Sequence, residues 1–285
     1  MGDERTAAND GGSPSGLSEM VDTHCHLDAL DFVDDMRAVI QRGRDAGVGW
    51  FVTIGSGRGT ESAADAVAIA RTNRDVVACV GIHPLDASCA TEPVLATLTD
   101  LADDWHVVAV GETGLDYRLA YAQKDLQKAA FRRQIQIARA AKKPLVIHTR
   151  LAAADTLAIL REENARDVGG VIHSFADDEA FAMAALDLGF DISLSALLLL
   201  HDLPAVRAAV RSVPPDRLLI ESNAPVLAPP PDSGRRCEPS DLATIAAGLA
   251  AILDAPADTL RRRTTENAVR RFGLGEAKPA ATSAR

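Results

Sequence analysis

The chain contains few cysteines and no long apolar run. Its four cysteines form no Cys-x-x-Cys pair and no regular framework, so a reduced cytoplasmic setting is indicated rather than a disulfide scaffold. No stretch approaches the roughly 18 apolar residues of a membrane span. Residues 1–17 lack the apolar segment of a signal peptide. We therefore expect a soluble cytoplasmic protein with no membrane partner, and the sequence gives no sign of an obligate protein partner.

Positive charge is also scarce. The 30 lysines and arginines are outnumbered by 40 aspartates and glutamates, which gives a net charge of −10. A protein of this charge repels nucleic acid at long range. Because phosphate contacts dominate the affinity for nucleic acids, such a function would require a local basic rim or bound metal ions.

The sequence is rich in small and branched apolar residues instead. Aromatic residues make up only 4% of a chain that is 47% hydrophobic, so Ala, Val, Leu and Ile fill most apolar positions. We expect one domain over residues 18–272, with a polar disordered leader at 1–17 and a flexible tail at 273–285.

Short β-branched runs alternate with longer segments of helical periodicity. Strands are predicted at 20–23, 50–54, 76–80, 107–110, 145–147, 170–172, 191–194 and 218–220. Helices are predicted at 34–46, 59–72, 92–103, 122–142, 153–164, 177–188, 203–211, 241–253 and 258–272. Eight strand–helix units predict an α/β fold, the (β/α)8 TIM barrel. A doubly wound open sheet is the main rival, but no glycine-rich phosphate fingerprint follows the first strand.

Residues of the metal-ligand type follow several of the predicted strands. His24 and His26 come after the first strand, Glu112 after the fourth, His148 after the fifth and His173 after the sixth. The active site of a TIM barrel lies at these carboxyl ends, so the five side chains are expected to converge. Each taken alone has a plainer explanation, such as a partly buried histidine or a helix-capping acid.

The pattern within the motifs suggests how a metal centre would be built. Alternate residues of an extended chain face the same way, so His24 and His26 can address one ion while Cys25 points away. The two oxygens of Glu112 diverge and can bridge two cations. Substrate contacts are expected from His83, which follows the third strand, and from Arg150, Arg235 and Arg236, whose guanidinium groups suit phosphate oxygens.

The eighth strand is followed by an asparagine where a general base is expected. Asn223 keeps the shape of an aspartate and offers a neutral carbonyl oxygen, but it cannot accept a proton at neutral pH. Glu221 lies two residues earlier, and whether it substitutes for the missing carboxylate is left open. We assign Glu112 and Asn223 as the catalytic candidates and include Asn223 among the metal-binding candidates.

These motifs together resemble the TatD family of metal-dependent deoxyribonucleases, within the amidohydrolase-like superfamily, over nearly the whole chain. The matching segments are DTHCHLD, GIHP, GETGLDY, PLVIHTR, VIHSF and PDRLLIESNAP. The resemblance implies a metal-dependent barrel hydrolase of DNA, often a 3′-to-5′ exonuclease, with metal ligands at His24, His26, Glu112, His148 and His173. The chain departs from the family pattern where Asn223 replaces the usual Asp, in Ser174-Phe175-Ala176-Asp177, near Ala196 and at Cys237.

Three functions compete on this basis. The first is a phosphodiesterase that holds two divalent ions (Mg²⁺, Mn²⁺ or Zn²⁺) and cleaves DNA or another phosphodiester. The second is a weakened or non-catalytic protein that retains a metal or nucleotide pocket, which Asn223 motivates. The third is a deamination or amide-hydrolysis reaction of the wider superfamily, which usually keeps the strand-eight Asp as well.

Overall fold

Eight parallel strands form the centre of the molecule. In the computed structural model, which describes residues 19–118 and 124–275, each strand is hydrogen-bonded to the next in sequence order. The strands are β1 (Met20–Cys25), β2 (Val48–Gly55), β3 (Val76–Val80), β4 (Val107–Asp116), β5 (Leu145–Arg150), β6 (Gly170–Ile172), β7 (Phe190–Leu194) and β8 (Leu218–Ile220). With the interleaved helices they form a nearly closed TIM barrel, so the predicted fold class is confirmed. The predicted leader 1–17 and residues 276–285 of the predicted tail lie outside the described residues.

The helices follow the strands with bounds close to those predicted. They are α1 (Met36–Asp45), α2 (Thr60–Thr72), α3 (Glu92–Ala102), α4 (Lys124–Ala141), α5 (Ala153–Glu162), α6 (Glu179–Asp187), α7 (Leu197–Leu200), α8 (Pro204–Arg211), α9 (Leu242–Ile252) and α10 (Ala257–Phe272). The short helix α7 was not predicted, because four consecutive leucines carry no helical periodicity.

Among the described residues no single helix could cross a membrane by length and composition, although the bent pair Pro239–Ile252 and Ala257–Phe272 passes that test.

Strands β4 and β5 run further than the sequence predicted. Their ends were expected at Val110 and Ile147, where the β-branched runs stop. The ladder continues instead through Leu115 paired with Thr149 and through Asp116 paired with Arg150. Polar residues that face the barrel mouth are therefore part of the strands, and periodicity of apolar residues cannot detect them.

The seam between β8 and β1 is held largely by side chains. The Thr23 hydroxyl donates to the Ile220 carbonyl at 2.9 Å. The Asp22 carboxylate accepts from the Ser222 amide at 2.9 Å and from the Ser222 hydroxyl at 2.6 Å. Burial raises the pKa of Asp22 to about 7, against the opposing effect of the hydrogen bonds from Ser222. These contacts bring the two strands that carry His24 and Asn223 side by side.

The barrel interior is apolar toward the amino ends of the strands. A compact buried cluster collects one inward residue or more from most strands, and Phe272 at the end of α10 packs against it. A larger buried cluster fills the space between the strands and the surrounding helices. This apolar cluster fills the barrel below the carboxyl ends of the strands, where the polar candidate residues gather.

Candidate metal centre

A cleft of about 640 Å³ opens at the carboxyl ends of the strands. Its lining includes six of the predicted site residues: His26, His83, Glu112, His148, His173 and Asn223. His24 is fully buried and adjoins His26 at the cleft floor. The structure therefore brings together all the candidates for metal binding.

His24 and His26 face each other at the end of β1. The register of β1 against β2 shifts between Asp22 and Cys25, which places His24 at an irregularity of the ladder. The Nε2 atoms of the two histidines are 3.3 Å apart. Cys25 lies between them on the opposite face, with its thiol 3.6 Å from the Val52 carbonyl. The alternation expected from an extended chain is present.

Glu112 connects this pair of histidines to a second pair. It also lies at a register shift, between Gly111 and Thr113 of β4. Its Oε2 is 3.6 Å from His24 Nε2, whereas its Oε1 is 2.8 Å from His148 Nδ1 and 2.9 Å from His173 Nε2. The two oxygens of one buried carboxylate thus face two different groups of imidazoles, which is the geometry of a bridging ligand.

The outer nitrogens of three histidines are held by the protein. His26 Nδ1 is 3.1 Å from the Ile54 carbonyl, His148 Nε2 is 3.1 Å from Asp116 Oδ2, and His173 Nδ1 is 3.2 Å from Glu221 Oε1. Only oxygen acceptors face these nitrogens, so each carries the ring proton in the neutral imidazole. The inner nitrogens then present lone pairs, as metal-binding histidines with hydrogen-bonded outer nitrogens do.

The inner nitrogens of each histidine pair lie so close together that a cation between them would stabilise the arrangement. His148 Nδ1 and His173 Nε2 are 3.3 Å apart, the same separation as in the His24–His26 pair. Two lone pairs at this distance repel each other unless a proton or a metal ion lies between them. Four imidazoles and the carboxylate that both pairs share form a set of donors that suits borderline divalent ions. The residues present therefore fit a metal centre.

The charges of the centre favour a cation as well. Burial lowers the pKa of His173, but the nearby Glu112 and Glu221 outweigh burial and raise it to about 10. His173 therefore holds a proton on its inner nitrogen at neutral pH, and a metal ion that binds this nitrogen takes the place of that proton. Burial would raise the pKa of Glu112, yet His173 and His83 hold it well below its usual value. A carboxylate that stays ionised in a buried pocket creates a strong negative potential for a bound cation to offset.

His83 approaches Glu112 in a different way. Its Nδ1 accepts a hydrogen bond from the Leu85 amide at 3.1 Å, so the ring proton is on Nε2. That nitrogen lies 3.4 Å from Glu112 Oε1 and donates toward it. Although the ligand atoms of His83, Glu112 and His148 lie within 4.8 Å of one another, this tautomer leaves His83 no lone pair for an ion.

Asn223 lines the same cleft from the loop after β8. Its backbone is left-handed, with φ of +56°, and its amide donates to the His24 carbonyl at 2.9 Å. Asparagine tolerates this conformation better than most residues. Within the described residues its side-chain amide makes no hydrogen bond to protein, so it faces the cleft.

Glu221 does not take the place of Asn223. It is fully buried beneath the cleft, where one oxygen contacts His173 and the other accepts from the Ser193 hydroxyl at 2.5 Å. Asp116 holds His148 in the same manner and was not predicted from the sequence. Its signal was the spacing of Glu112 and Asp116, because residues four apart in a strand face the same way.

The predicted substrate-binding arginines do not line the cleft. Arg150 is exposed at the end of β5. Arg235 forms a two-pronged pair with Asp241 at 2.5 and 2.7 Å. Arg236 pairs with Asp35 at 2.6 Å and with Glu238 at 2.9 Å. The ion pairs of Arg235 and Arg236 hold the loop after β8 in place. The contact with substrate that was predicted for Arg150, Arg235 and Arg236 stays a prediction.

Comparison with known proteins gives a consistent result along most of the chain. The model of a family described as TatD related DNase matches residues 21–273. The uncharacterized metal-dependent hydrolase YabD of Bacillus subtilis (strain 168) is 36% identical over 255 residues, which cover 90% of this chain and 99% of that protein. The uncharacterized metal-dependent hydrolase YcfH of Escherichia coli (strain K12) is 38% identical over 260 residues, with 90% and 96% covered.

A solved structure shares the fold. The crystal structure of YJJV, a TatD homolog from Escherichia coli K12, superposes with a TM-score of 0.83 at 26% sequence identity. The superposition covers 91% of this chain and all of that chain.

Proposed function

This chain belongs to the TatD family of metal-dependent hydrolases, and on that premise we propose that it cleaves phosphodiester bonds in DNA, as a 3′-to-5′ exonuclease on single strands. The observation that carries the proposal is the position of Glu112. A carboxylate with one oxygen toward His24 and the other toward His148 and His173 suits two adjacent cations. Pairs of cations in such sites commonly serve phosphoryl transfer.

We assign the ligands in two groups that share Glu112. His24, His26 and Glu112 would hold one ion, and Glu112, His148 and His173 would hold the other, with the oxygen of Asn223 at the edge of the centre. When bound, two divalent cations supply Lewis-acid polarisation of the phosphodiester and activation of a water molecule. Their identity is one of Mg²⁺, Mn²⁺ and Zn²⁺.

The protein residues around the ligands orient them. Asp116 and Glu221 each accept a hydrogen bond from a ligand histidine and so hold its free nitrogen toward the centre. His83 donates toward Glu112 at the cleft wall and is positioned to contact a substrate oxygen. Asn223 can accept a hydrogen bond from water, but it cannot take the proton that the reaction releases.

Asn223 also favours a second candidate, a TatD-type protein with weak or no catalysis that binds metal or nucleotide. Loss of a proton-accepting group costs on the order of 10² to 10⁴ in rate. A slow enzyme and a binding protein therefore differ in degree, and measurement of the rate decides between them.

The deciding experiment uses metal-free protein reloaded with Mn²⁺, Mg²⁺ or Zn²⁺ and a single-stranded DNA labelled at its 5′ end. We expect progressive shortening from the 3′ end, which stops when a chelator is added. His148→Ala should abolish the activity, whereas His201→Ala, an exposed histidine outside the cleft, should retain it. Metal binding without cleavage of DNA or RNA would favour the binding protein.

The cytoplasmic location stays a prediction.

A further inference from the structure

One cationic side chain lines the cleft among the described residues, apart from the histidines, and it is Arg58. Arg58 lies in the loop between β2 and α2, next to Ser56 and Gly57, which line the same cleft. The remaining charged lining residues are acidic: Asp28, Asp31, Asp86 and Glu112. An anionic substrate that enters this cleft therefore meets four carboxylates and a single guanidinium.

Only one of the three nitrogens of the Arg58 guanidinium is used by the protein. Its Nη2 donates to Asp28 Oδ2 and to Asp65 Oδ2, both at 3.1 Å, and more weakly to the Asp28 carbonyl at 3.4 Å. Within the described residues its Nε and Nη1 make no hydrogen bond. Arg236, by contrast, uses all three of its nitrogens in contacts with the protein.

The hydrogen bonds from Nη2 to Asp28 and Asp65 fix the position of Arg58. The Asp28 side chain is only 5% exposed, and its Oδ2 also accepts from the Ser62 hydroxyl on α2. Arg58 itself is 39% exposed and holds a left-handed backbone, with φ of +52°. A conformation of this kind in a residue other than glycine is uncommon and costs free energy. The loop thus presents an arginine at the cleft where a glycine would be less strained.

We propose that Arg58 binds a phosphate group of the substrate other than the one that is cleaved. This inference rests on the proposed function and deepens it, because it names the residue that binds a second phosphate of the same DNA strand. A guanidinium whose Nη2 is fixed by carboxylates still has its Nη1 hydrogens free, and these can donate to phosphate oxygens in charge-assisted hydrogen bonds. Arg58 also offsets the repulsion between a polyanion and the acidic lining.

A binding measurement tests the proposal directly. The probe is a fluorescein-labelled single-stranded oligonucleotide, titrated with the full chain in Ca²⁺ buffer and checked to be intact afterwards. We expect Arg58→Ala to weaken binding roughly 10- to 100-fold. It should also reduce the slope of log affinity against log salt concentration by about 0.7, the value for one phosphate contact on a single strand. Arg161→Ala, an exposed arginine on α5, is the matched control and should retain both values.

A comparison of substrates separates this inference from the proposed function. Bis(4-nitrophenyl) phosphate has one phosphodiester and no neighbouring phosphate. Arg58→Ala should lower kcat/KM for the oligonucleotide at least about tenfold more than for this small diester. Arg58→Lys keeps the charge but cannot bind Asp28 and Asp65 through one nitrogen while it donates to phosphate from another, so it should fall between wild type and Arg58→Ala.

The outcomes are distinct. If wild type cleaves the small diester but Arg58→Ala binds the oligonucleotide with unchanged affinity and salt slope, the inference is wrong and the proposed function stands. If the substitution lowers kcat on both substrates equally, Arg58 acts on the metal centre and the inference is also wrong. If wild type cleaves neither substrate, yet Arg58→Ala loses affinity and salt slope, the phosphate contact stands and the proposed function fails. A wild type that does not bind the oligonucleotide contradicts both.

Discussion

Asn223 occupies the point of the cleft from which a carboxylate could accept a proton. Its left-handed backbone and the hydrogen bond from its main-chain amide to the His24 carbonyl place it on the wall of the cleft that the proposed metal ligands line. An aspartate has the same shape and also tolerates this backbone. Asparagine at this position therefore differs from aspartate in that it lacks the negative charge and the proton acceptor, whereas its size is the same.

We predict that Asn223→Asp raises the rate of metal-dependent phosphodiester hydrolysis by about 10²-fold or more, because it restores a general base. The measurement is kcat/KM on single-stranded DNA with Mn²⁺. Asn164→Asp is the matched control, since Asn164 is also left-handed but exposed and remote from the cleft. A lower rate in Asn223→Asp would show that the site works through the neutral amide.

Asp104 is a second residue whose ionisation matters, here for stability. Burial would raise its pKa, but hydrogen bonds from the His106 amide and from Arg71 outweigh burial and lower the pKa from 3.8 to about 2. A carboxyl group with a depressed pKa in the folded state stabilises the fold above its unfolded pKa. That contribution is lost as the pH falls from about 4 through 2.

Asp104→Asn should therefore reduce the free energy of unfolding by up to about 2 kcal/mol at pH 7, from the size of the shift. The difference from wild type should shrink below pH 4. Urea denaturation at pH 7, 5, 4 and 3 measures it. Asp103→Asn, the exposed neighbour, should match wild type throughout, and a pH-independent deficit in Asp104→Asn would contradict the assignment.

At the scale of elements, helix α4 sets the ends of two strands. The Gln127 side chain bonds both the amide and the carbonyl of Asp116, each at 3.0 Å. The Gln134 side chain does the same for Ile82, at 2.7 and 3.1 Å. Both glutamines are buried on one face of α4. They fix the residues next to His83 and the partner of His148, so a helix distant from the chemistry holds the cleft in shape.

Strand β7 and helix α10 are joined by a buried charge at the other end of the barrel. Asp191 is 1% exposed and accepts from Arg217 at 2.5 Å and from Arg271 at 2.7 Å. Removal of one member of a buried ionic group leaves the remaining charges poorly solvated.

Asp191→Ala is therefore expected to lower the free energy of unfolding by roughly 3 kcal/mol. Denaturant unfolding at pH 7 measures this, with a loss of less than about 1 kcal/mol taken as a contradiction. Asp187→Ala, an exposed aspartate at the end of α6, is the control and should change stability by no more than about 0.5 kcal/mol.

At the scale of the whole molecule, the centre joins four strands that are distant in sequence. His24 on β1, Glu112 on β4, His148 on β5 and His173 after β6 lie on separate strand–helix units. An ion that binds the folded arrangement and not the unfolded chain stabilises the entire barrel.

We predict that Mn²⁺ at about 100 times its dissociation constant adds about 2.7 kcal/mol of stability. For a chain of this size that corresponds to a rise in Tm of roughly 5–10 °C, and a chelator should reverse it. His148→Ala should lose most of the rise, whereas His201→Ala should retain it. Equal Tm values with and without every divalent ion tested would contradict a metal centre.

The order of the motifs along the chain was enough to predict the architecture and the candidates for metal binding. Eight alternating strand–helix units favoured a barrel over an open sheet, and His26, Glu112, His148 and Asn223 follow strands whose carboxyl ends meet at one face of such a barrel. The architecture and the placement of these residues depend on local periodicity and on the order of residues along the chain, and both can be read from the sequence. The convergence of these residues followed once the strands were parallel.

The use that each side chain makes of its polar atoms could be read only from the folded molecule. The tautomer of His83 depends on the Leu85 amide, and the roles of Asp116 and Glu221 depend on which histidine each one faces. The arginines show the limit most clearly, because Arg236 is paired with Asp35, which is distant in sequence, whereas Arg58 keeps nitrogens in the cleft that make no hydrogen bond to the described residues. Such pairings are set by the spatial closure of the barrel, and sequence separation carries no information about them.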